Sequence, residues 1–364
     1  MIVKRIELNH FRNYELLKLD LDEKTNILYG NNAQGKTNVL ESVYVCSTTK
    51  SHRTNRDAEL INLDSDEAHI KLLIEKNQRE HRIDIHLRRN KTKGIAINGI
   101  PIKKASELFG VFNVVIFSPE DLDIIKKGPA ERRKFMDMEL CQLDKIYVYN
   151  LTNYNRIIAQ RNKLLKDIYF QPELKQTLEV WDSQLAEYGA KIIERRSKFI
   201  QEINQIMKPI HKKLTGGVED IDIIYYKNCN KEDLLKKLEE NREKDIRYKA
   251  TSVGPHKDDI LFFNGDKNIR VYGSQGQQRT IALSLKLAEI ELVKMLINDM
   301  PVLLLDDVLS ELDSDRQNHL LKNLDNIQTI ITCTGLDEFI ENRFQINKIF
   351  KVVKGSVQEK NVEK

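Results

Sequence analysis

The chain has 364 residues, 31% of them charged, and its 59 Lys and Arg against 55 Asp and Glu leave a formal charge of +4. That length predicts two or three structural units, and the weak positive balance permits a nucleic-acid partner while equally suiting a well-solvated protein. Cys46, Cys141, Cys229 and Cys333 lack C-x-x-C spacing and suggest neither a zinc site nor a disulfide framework; no apolar run nears the roughly 18 residues of a membrane span, so a soluble cytoplasmic protein is expected.

In chain order, Ile2 to Leu8 and Leu16 to Leu21 predict short strands about the turn-like Asn9-His10-Phe11-Arg12-Asn13, and Thr25 to Tyr29 predicts a third. The third runs into Gly30-Asn31-Asn32-Ala33-Gln34-Gly35-Lys36-Thr37, which fits G-x-x-x-x-G-K-[ST]. There the glycines let the backbone curl so that its amides face phosphate oxygens, and Lys36 adds a fixed positive charge. Thr37 to Thr49 predicts a helix whose N-terminal dipole favours the same anion. Between His69 and Phe117 come further strand candidates, including the alternating Ile83, Ile85 and Leu87 and, past the turn at Arg89-Asn90-Lys91, Ile95 and Ile97.

From about Ala130 the apolar period changes to threes and fours. Leu140, Leu143, Tyr147, Tyr154, Arg161, Leu165 and Ile168 lie on one stripe of a long amphipathic helix. Tyr169-Phe170-Gln171-Pro172 interrupts it, and a second stripe runs through Trp181, Leu185, Ile192, Arg196, Phe199 and Ile203 until Gly216-Gly217 ends it. Two such helices joined by a short Pro-containing break predict an antiparallel arm whose stripes pack on each other. A strand at Ile221, Ile223 and Tyr225 follows, then a charged helix begun by Asn230 with Asp233 in a capping-box arrangement. After Lys249, Ile260 to Phe263, the Asn264-Gly265 turn and Ile269 to Tyr272 predict a β-hairpin. A helix from about Gln277 to Ile297 leads to strands at Val302 to Leu305, Thr329 to Cys333 and Lys348 to Val353. Alternating strands and helices imply an α/β fold with a parallel sheet covered on both faces. Residues 1–128 and 249–364 are expected to form one head, interrupted by a mainly helical insert, 129–248.

Leu303-Leu304-Leu305-Asp306-Asp307 is an apolar strand ending in carboxylates, which are costly to bury without a cation. Thr37 and Asp306 are the expected magnesium ligands, Lys36 the contact to the β- and γ-phosphates of ATP, and Asp307 the group that orients or deprotonates the attacking water. Ser274-Gln275-Gly276-Gln277 opens a helix, where a hydroxyl and amides can meet an anion. For DNA phosphates the candidates are the paired basic residues Arg53 and Arg56, Lys103 and Lys104, Lys126 and Lys127, and Arg132 and Arg133, although each also suits a solvated surface. His256 beside Asp258 and Asp259 could suggest a metal site, with a structural role as the plainer reading.

Ser274 to Arg279 resembles the signature motif of ABC-type ATPases, and Ser310-Glu311-Leu312-Asp313 looks like the loop that crosses the dimer interface in that superfamily. With Asn9 to Tyr14, Phe117 to Leu122, Gly128 to Arg133 and Gly254 to Asp259 in order, nearly the whole chain resembles the RecF family of SMC-like ATPases. The resemblance implies ATP sandwiched between two heads in an ATP-dependent homodimer, with Ser274, Gln275, Gly276 and Gln277 completing the partner's site. It further implies engagement of DNA at single-strand/duplex junctions, work with RecO and RecR in loading recombinase, and support of SOS induction. By the same match Arg12 reaches the nucleotide and Glu120 occupies the region of the Q-loop. Asp307 stands where most ABC ATPases carry Glu, which implies slow turnover, the resemblance implies that DNA stimulates it, and Thr332-Cys333-Thr334 occupies the place of the usual switch histidine. Two alternatives share part of the pattern: a nucleotide-binding subunit of a transporter, and a non-hydrolytic ATP-binding scaffold.

Overall fold

Every residue of Val114–Phe117 and Val302–Asp306 is buried, the continuous apolar pattern of strands covered on both faces. In the computed structural model, which describes residues 1–309, 316–317, 320, 326–336 and 346–360, these strands are neighbours in a six-stranded sheet. Its order is Ser356–Lys360, Ile346–Val353, Thr25–Tyr29, Thr329–Cys333, Val302–Asp306 and Val114–Phe117. Every pairing is parallel except the antiparallel one that adds Ser356–Lys360 at the edge. The strand that feeds the phosphate loop is therefore separated from the carboxylate strand by Thr329–Cys333. In that register Thr332 lies opposite Leu28 on one side and Asp306 on the other.

A second six-stranded sheet is antiparallel, in the order Tyr14–Asp20, Ile2–Phe11, Glu67–Lys76, Arg79–Arg88, Lys91–Ile97 and Ile100–Pro101. Its strands alternate: Ile70, Leu72, Ile74, Ile83, Ile85 and Leu87 are buried while the intervening side chains face outward. The helix Lys36–Thr48 contacts both sheets, which accounts for its burial on nearly all sides. These elements form one compact unit, residues 1–121 with 286–364, and residues 122–285 form another.

In the second unit the expected arm is present, with a break the periodicity does not reveal. Pro129–Leu143 and Lys145–Asp167 are separate helices because Asp144 caps the second, its carboxylate accepting from the amides of Ile146 and Tyr147. A 3-10 turn at Pro172–Thr177 leads into Leu178–Leu214. Tyr147 meets Arg196, Gly189 packs on Tyr154, and Arg161 meets Asp182, so the two long helices run antiparallel. Arg161 and Arg196, at apolar positions of the sequence stripes, are buried cations with built partners. The Arg161 guanidinium donates to Asp182 at 2.7 Å, Asp245 at 2.7 Å and Thr251 at 2.9 Å. Arg196 donates to the Tyr147 hydroxyl, Asp137 and the Pro255 carbonyl.

Ile221–Tyr226 pairs antiparallel with Asp259–Asn264, which turns back only as far as Lys267–Asn268. Ile269–Tyr272, expected as the returning strand, is a helical turn because the Asn268 side chain accepts from the Arg270 amide and starts it. The charged helix begins at Leu234, and Asp233 makes no capping bond to it; the expected capping box is replaced by an Asn230 to Asp233 side-chain contact at 3.4 Å. Arg242–Tyr248 is a second short helix.

Removing one member of a buried charge network strands the others. Arg161→Ala is expected to lower stability by about 3–5 kcal/mol, measured as an earlier urea midpoint by far-UV circular dichroism, with Arg161→Lys falling between. A wild-type midpoint for Arg161→Ala would show that the network contributes nothing.

Candidate functional site

The turn after Thr25–Tyr29 needs glycine for steric reasons at both ends. A Cβ on Gly30, φ 153°, would lie 2.4 Å from the Val352 carbonyl oxygen; one on Gly35, φ 115°, would strike the Asn13 side chain at 2.6 Å. Asn31, Asn32, Ala33 and Gln34 complete the loop, with Ala33 also left-handed at φ 62°. The loop is clamped from outside. Asn13 Nδ2 donates to the Gln34 carbonyl at 2.9 Å, the Tyr14 hydroxyl donates to the Gly35 carbonyl at 3.1 Å, and the amides of Lys354 and Gly355 donate to Gln34 at 2.6 and 3.1 Å. Inside it, the buried Lys36 ammonium donates to the carbonyls of Gly30 at 2.7 Å and Asn31 at 3.1 Å. Its charge is thus held within the curl of the loop, at the start of the helix.

Thr37 and Asp306, 269 residues apart, meet: the Thr37 hydroxyl donates to Asp306 Oδ1 at 2.8 Å. The Thr332 hydroxyl donates to the same oxygen at 2.7 Å and accepts the Asp307 amide at 3.0 Å. Thr332 therefore orients both carboxylate residues, and Asp307 holds a left-handed backbone, φ 53°, where the strand ends. Sequence reasoning marked Thr332 only as the absence of a histidine; its contact follows from strand order, which the chain does not spell out. Burial pushes the Asp306 carboxyl above the usual range, the threonine bonds resist that shift, and the nearby carboxylates Asp307 and Glu120 add to it. Carboxylates crowded beside hydroxyls form an all-oxygen donor set, which fits a hard divalent cation such as magnesium.

Arg12 is committed locally. Its Nε and Nη2 donate to both oxygens of the buried Glu41 at 2.8 and 2.7 Å, and its Nη1 donates to the Glu59 carbonyl at 2.7 Å. Ser51 donates to the same carboxylate and Arg53 lies 3.6 Å away. Glu41 was not singled out from sequence; it lies in a helix that is buried on nearly all sides, where a carboxylate needs a paired cation. Of the basic pairs, Arg132 is buried in a two-pronged bond to Asp259 and Arg133 donates to the Asp258 carbonyl at 2.8 Å, so both serve the helical unit itself. Lys103, Lys104, Lys126 and Arg56 are exposed. His256 has both ring nitrogens engaged, one 2.7 Å from the Tyr154 hydroxyl and the other 3.0 Å from the Thr251 carbonyl, which makes it a structural residue.

In the second unit, Ser274 and Gln277 form a capping box: the Gln277 amide donates to the Ser274 hydroxyl at 3.2 Å and the Ser274 amide donates to Gln277 Oε1 at 2.9 Å. Gln275 and Gly276 are exposed at the first turn of the helix Gln275–Ile297, and Gln277 Nε2 donates to Glu219 at 2.9 Å. Ser310 to Asp313, expected as the interface-crossing loop, lie outside the described residues.

A phosphate loop and a carboxylate strand on one buried parallel sheet, with a helical insert and a serine-capped signature helix, define an ABC-type P-loop ATPase head. The family model "RecF/RecN/SMC N terminal domain" matches residues 2–358. The DNA replication and repair protein RecF of Lachnospira eligens is 61% identical over 363 residues, covering 99% of this chain and 100% of that protein. A solved structure of the recombination mediator protein RecF with ATP in the RecFOR pathway superposes with a TM-score of 0.91 at 35% identity, covering 99% of this chain and 98% of that one. Its counterpart with ATPrS gives 0.90 at 36%, covering 98% and 97%. The chain belongs to the RecF family of DNA replication and repair proteins. No helix among the described residues is long and apolar enough to cross a membrane.

The Arg12–Glu41 pair yields a pH test. Burial alone would raise the Glu41 carboxyl, but the bonds from Arg12 and Ser51 outweigh it and hold the group below its usual 4.5. A depressed folded-state value adds stability that is present above the unfolded value and lost as pH falls through the folded one. Glu41→Gln is therefore expected to cost about 1–3 kcal/mol at pH 7. The gap to wild type, followed by urea midpoints across the pH range, should close below pH 4.5. A gap independent of pH would contradict the ionised pair.

Proposed function

We propose that this chain binds ATP and magnesium on Gly30 to Thr37 and Asp306, and that two copies close on the nucleotide through Ser274 to Gln277. In the closed state the dimer holds DNA at single-strand/duplex junctions. Working with RecR and RecO in the cytoplasm, it assists recombinase loading and so supports the SOS response. The observation that carries this reading is the 2.8 Å bond between Thr37 and Asp306, which brings the end of the phosphate loop to the carboxylate strand. The likeness to RecF solved with ATP and with ATPrS supports it.

The roles follow from the positions. Loop amides and the Lys36 ammonium bind the β- and γ-phosphates, with the helix dipole behind them. Thr37 and Asp306 hold magnesium, which when bound neutralises phosphate charge. Asp307 orients the attacking water and takes its proton as the bond from the γ-phosphorus to the bridging oxygen breaks. A single methylene on Asp307 makes that reach short, and turnover is slow and stimulated by DNA. Arg12 acts on the nucleotide through its neighbour Asn13, which clamps the loop, while Glu41 fixes the guanidinium. Residues 1–128 and 249–364 act as the head and 129–248 as the arm. DNA phosphates are met by the exposed Lys103, Lys104, Lys126 and Arg56.

Three variants separate the steps, with ATP binding, dimerisation by light scattering, and gapped-DNA binding measured in magnesium. Lys36→Ala is expected to weaken ATP binding at least about tenfold, the equivalent of about 1.4 kcal/mol. Ser274→Ala should bind ATP normally yet fail to dimerise, and Asp307→Asn should prolong the dimer and its hold on DNA. Wild-type dimerisation and DNA binding in all three would overturn the ATP-gated reading.

A further inference from the structure

On the outer face of the antiparallel sheet, two histidines and a glutamate converge far along the chain from the nucleotide residues. His69 and His86 are directly opposed across the pairing of Glu67–Lys76 with Arg79–Arg88. Glu67 precedes His69 by two residues and so shares its face, since side chains of a strand alternate. The imidazoles stack with centroids 4.0 Å apart and planes 19° from parallel. Both Nε2 atoms are directed at the Glu67 carboxylate, His86 at 2.8 Å from Oε2 and His69 at 4.0 Å from Oε1. One ligand atom from each residue lies within 4.8 Å of the others.

We propose that Glu67, His69 and His86 form a site for a borderline divalent transition-metal ion, with zinc the natural occupant. The donor chemistry selects the ion: two neutral imidazoles and one carboxylate suit zinc and its neighbours, whereas magnesium and calcium prefer all-oxygen shells. The spacing suits it as well. Zinc bonds of about 2.0–2.2 Å place tetrahedral donors roughly 3.4 Å apart, and the two observed nitrogen-to-oxygen separations bracket that value. Small rotations of exposed side chains close the set without moving the backbone. The backbone is the rigid part, because a fully paired sheet fixes all three Cα positions before any ion arrives.

The surroundings keep the site open. Gly94 is the partner of His86 on the far strand, and a Cβ there would approach only the His86 Cβ, at 3.8 Å, so the residue directly opposite puts no side chain beside the ring. Relative side-chain exposures of 55% for Glu67, 50% for His69 and 33% for His86 admit an ion from solvent and leave a coordination position for water. A groove of about 500 Å³ adjoins the pair, lined also by Lys71, Asp84, Leu16 and Ile102. Burial and the neighbouring His86 hold His69 below its usual value, and the bond from His86 holds Glu67 ionised. A ligand set must shed its protons before it binds metal, and these shifts act in that direction.

Zinc chloride titrated into the full chain by isothermal calorimetry, in a phosphate-free buffer with millimolar magnesium present, tests the site. One equivalent is expected to bind with a dissociation constant at or below about 10 μM. His86→Ala and His69→Ala should each weaken it at least tenfold, and Glu67→Gln should weaken it severalfold. Because Glu67 and His69 are exposed and His86 is only half-buried, the variants should melt like wild type in the absence of zinc. Zinc should raise the melting temperature of wild type most, that of Glu67→Gln less, that of each single histidine variant least, and that of the His69→Ala, His86→Ala double variant not at all. Absence of a stoichiometric zinc, or an equivalent that persists unchanged in the His69→Ala, His86→Ala double variant, would overturn the proposal. The nucleotide residues provide a control: if Asp306→Ala and not the histidine variants removes the zinc, the ion belongs to the carboxylate strand and the proposal fails.

Discussion

A hydroxyl and a carboxylate, Thr37 and Asp306, carry the constraint on which the head depends, because they tie together residues 269 positions apart. The bond is possible only if Thr25–Tyr29 and Val302–Asp306 end at the same edge of one sheet, and parallel pairing through Thr329–Cys333 brings that about. Parallel strands require both faces covered, which explains why every residue of the carboxylate strand is buried and why its terminal Asp is expensive to ionise. Two threonine hydroxyls on one carboxylate oxygen partly offset that cost.

The loop itself is held from outside by elements that carry no phosphate chemistry. Asn13 and Tyr14 grip it from the turn between the first two strands, and Lys354 with Gly355 grips it from the last hairpin. Arg12, beside that first turn, is locked by Glu41 from the helix that the loop begins. The loop Gly30 to Thr37 thus rests on a frame drawn from both ends of the chain. A change in any of Asn13, Glu41 or Gly355 would act on the loop without touching a ligand. In the second unit the same principle appears as buried arginines, each surrounded by several acceptors, that set the register of the long helices.

Local chemistry was legible in the sequence; cross-chain partners were not. Glycine spacing and the leucine run before Asp306 are dictated by backbone geometry and burial, so the loop, its helix and the carboxylate strand stood out. The antiparallel arm followed from period, but Asp144 divides its first stripe, since a cap is a single-residue event that periodicity averages away. Arg161 and Arg196 sat on the apolar stripes with no local hint of Asp182, Asp245 or Asp137, whose approach depends on packing. Asn268 turned an expected strand at Ile269–Tyr272 into a helical turn by one side-chain bond. Thr332 and the His69–His86 pair were hidden for a further reason: each is defined by which strands are neighbours and in what register, information that only the folded sheet contains.

The claim that the loop and the carboxylate strand act as one site is tested most directly by a double-mutant cycle on magnesium-ATP affinity with Thr37→Val, Asp306→Ala and the pair. If they hold one ion together, the two losses are non-additive, with a coupling free energy of about 0.5–3 kcal/mol. Strict additivity, with coupling near zero, would contradict the account.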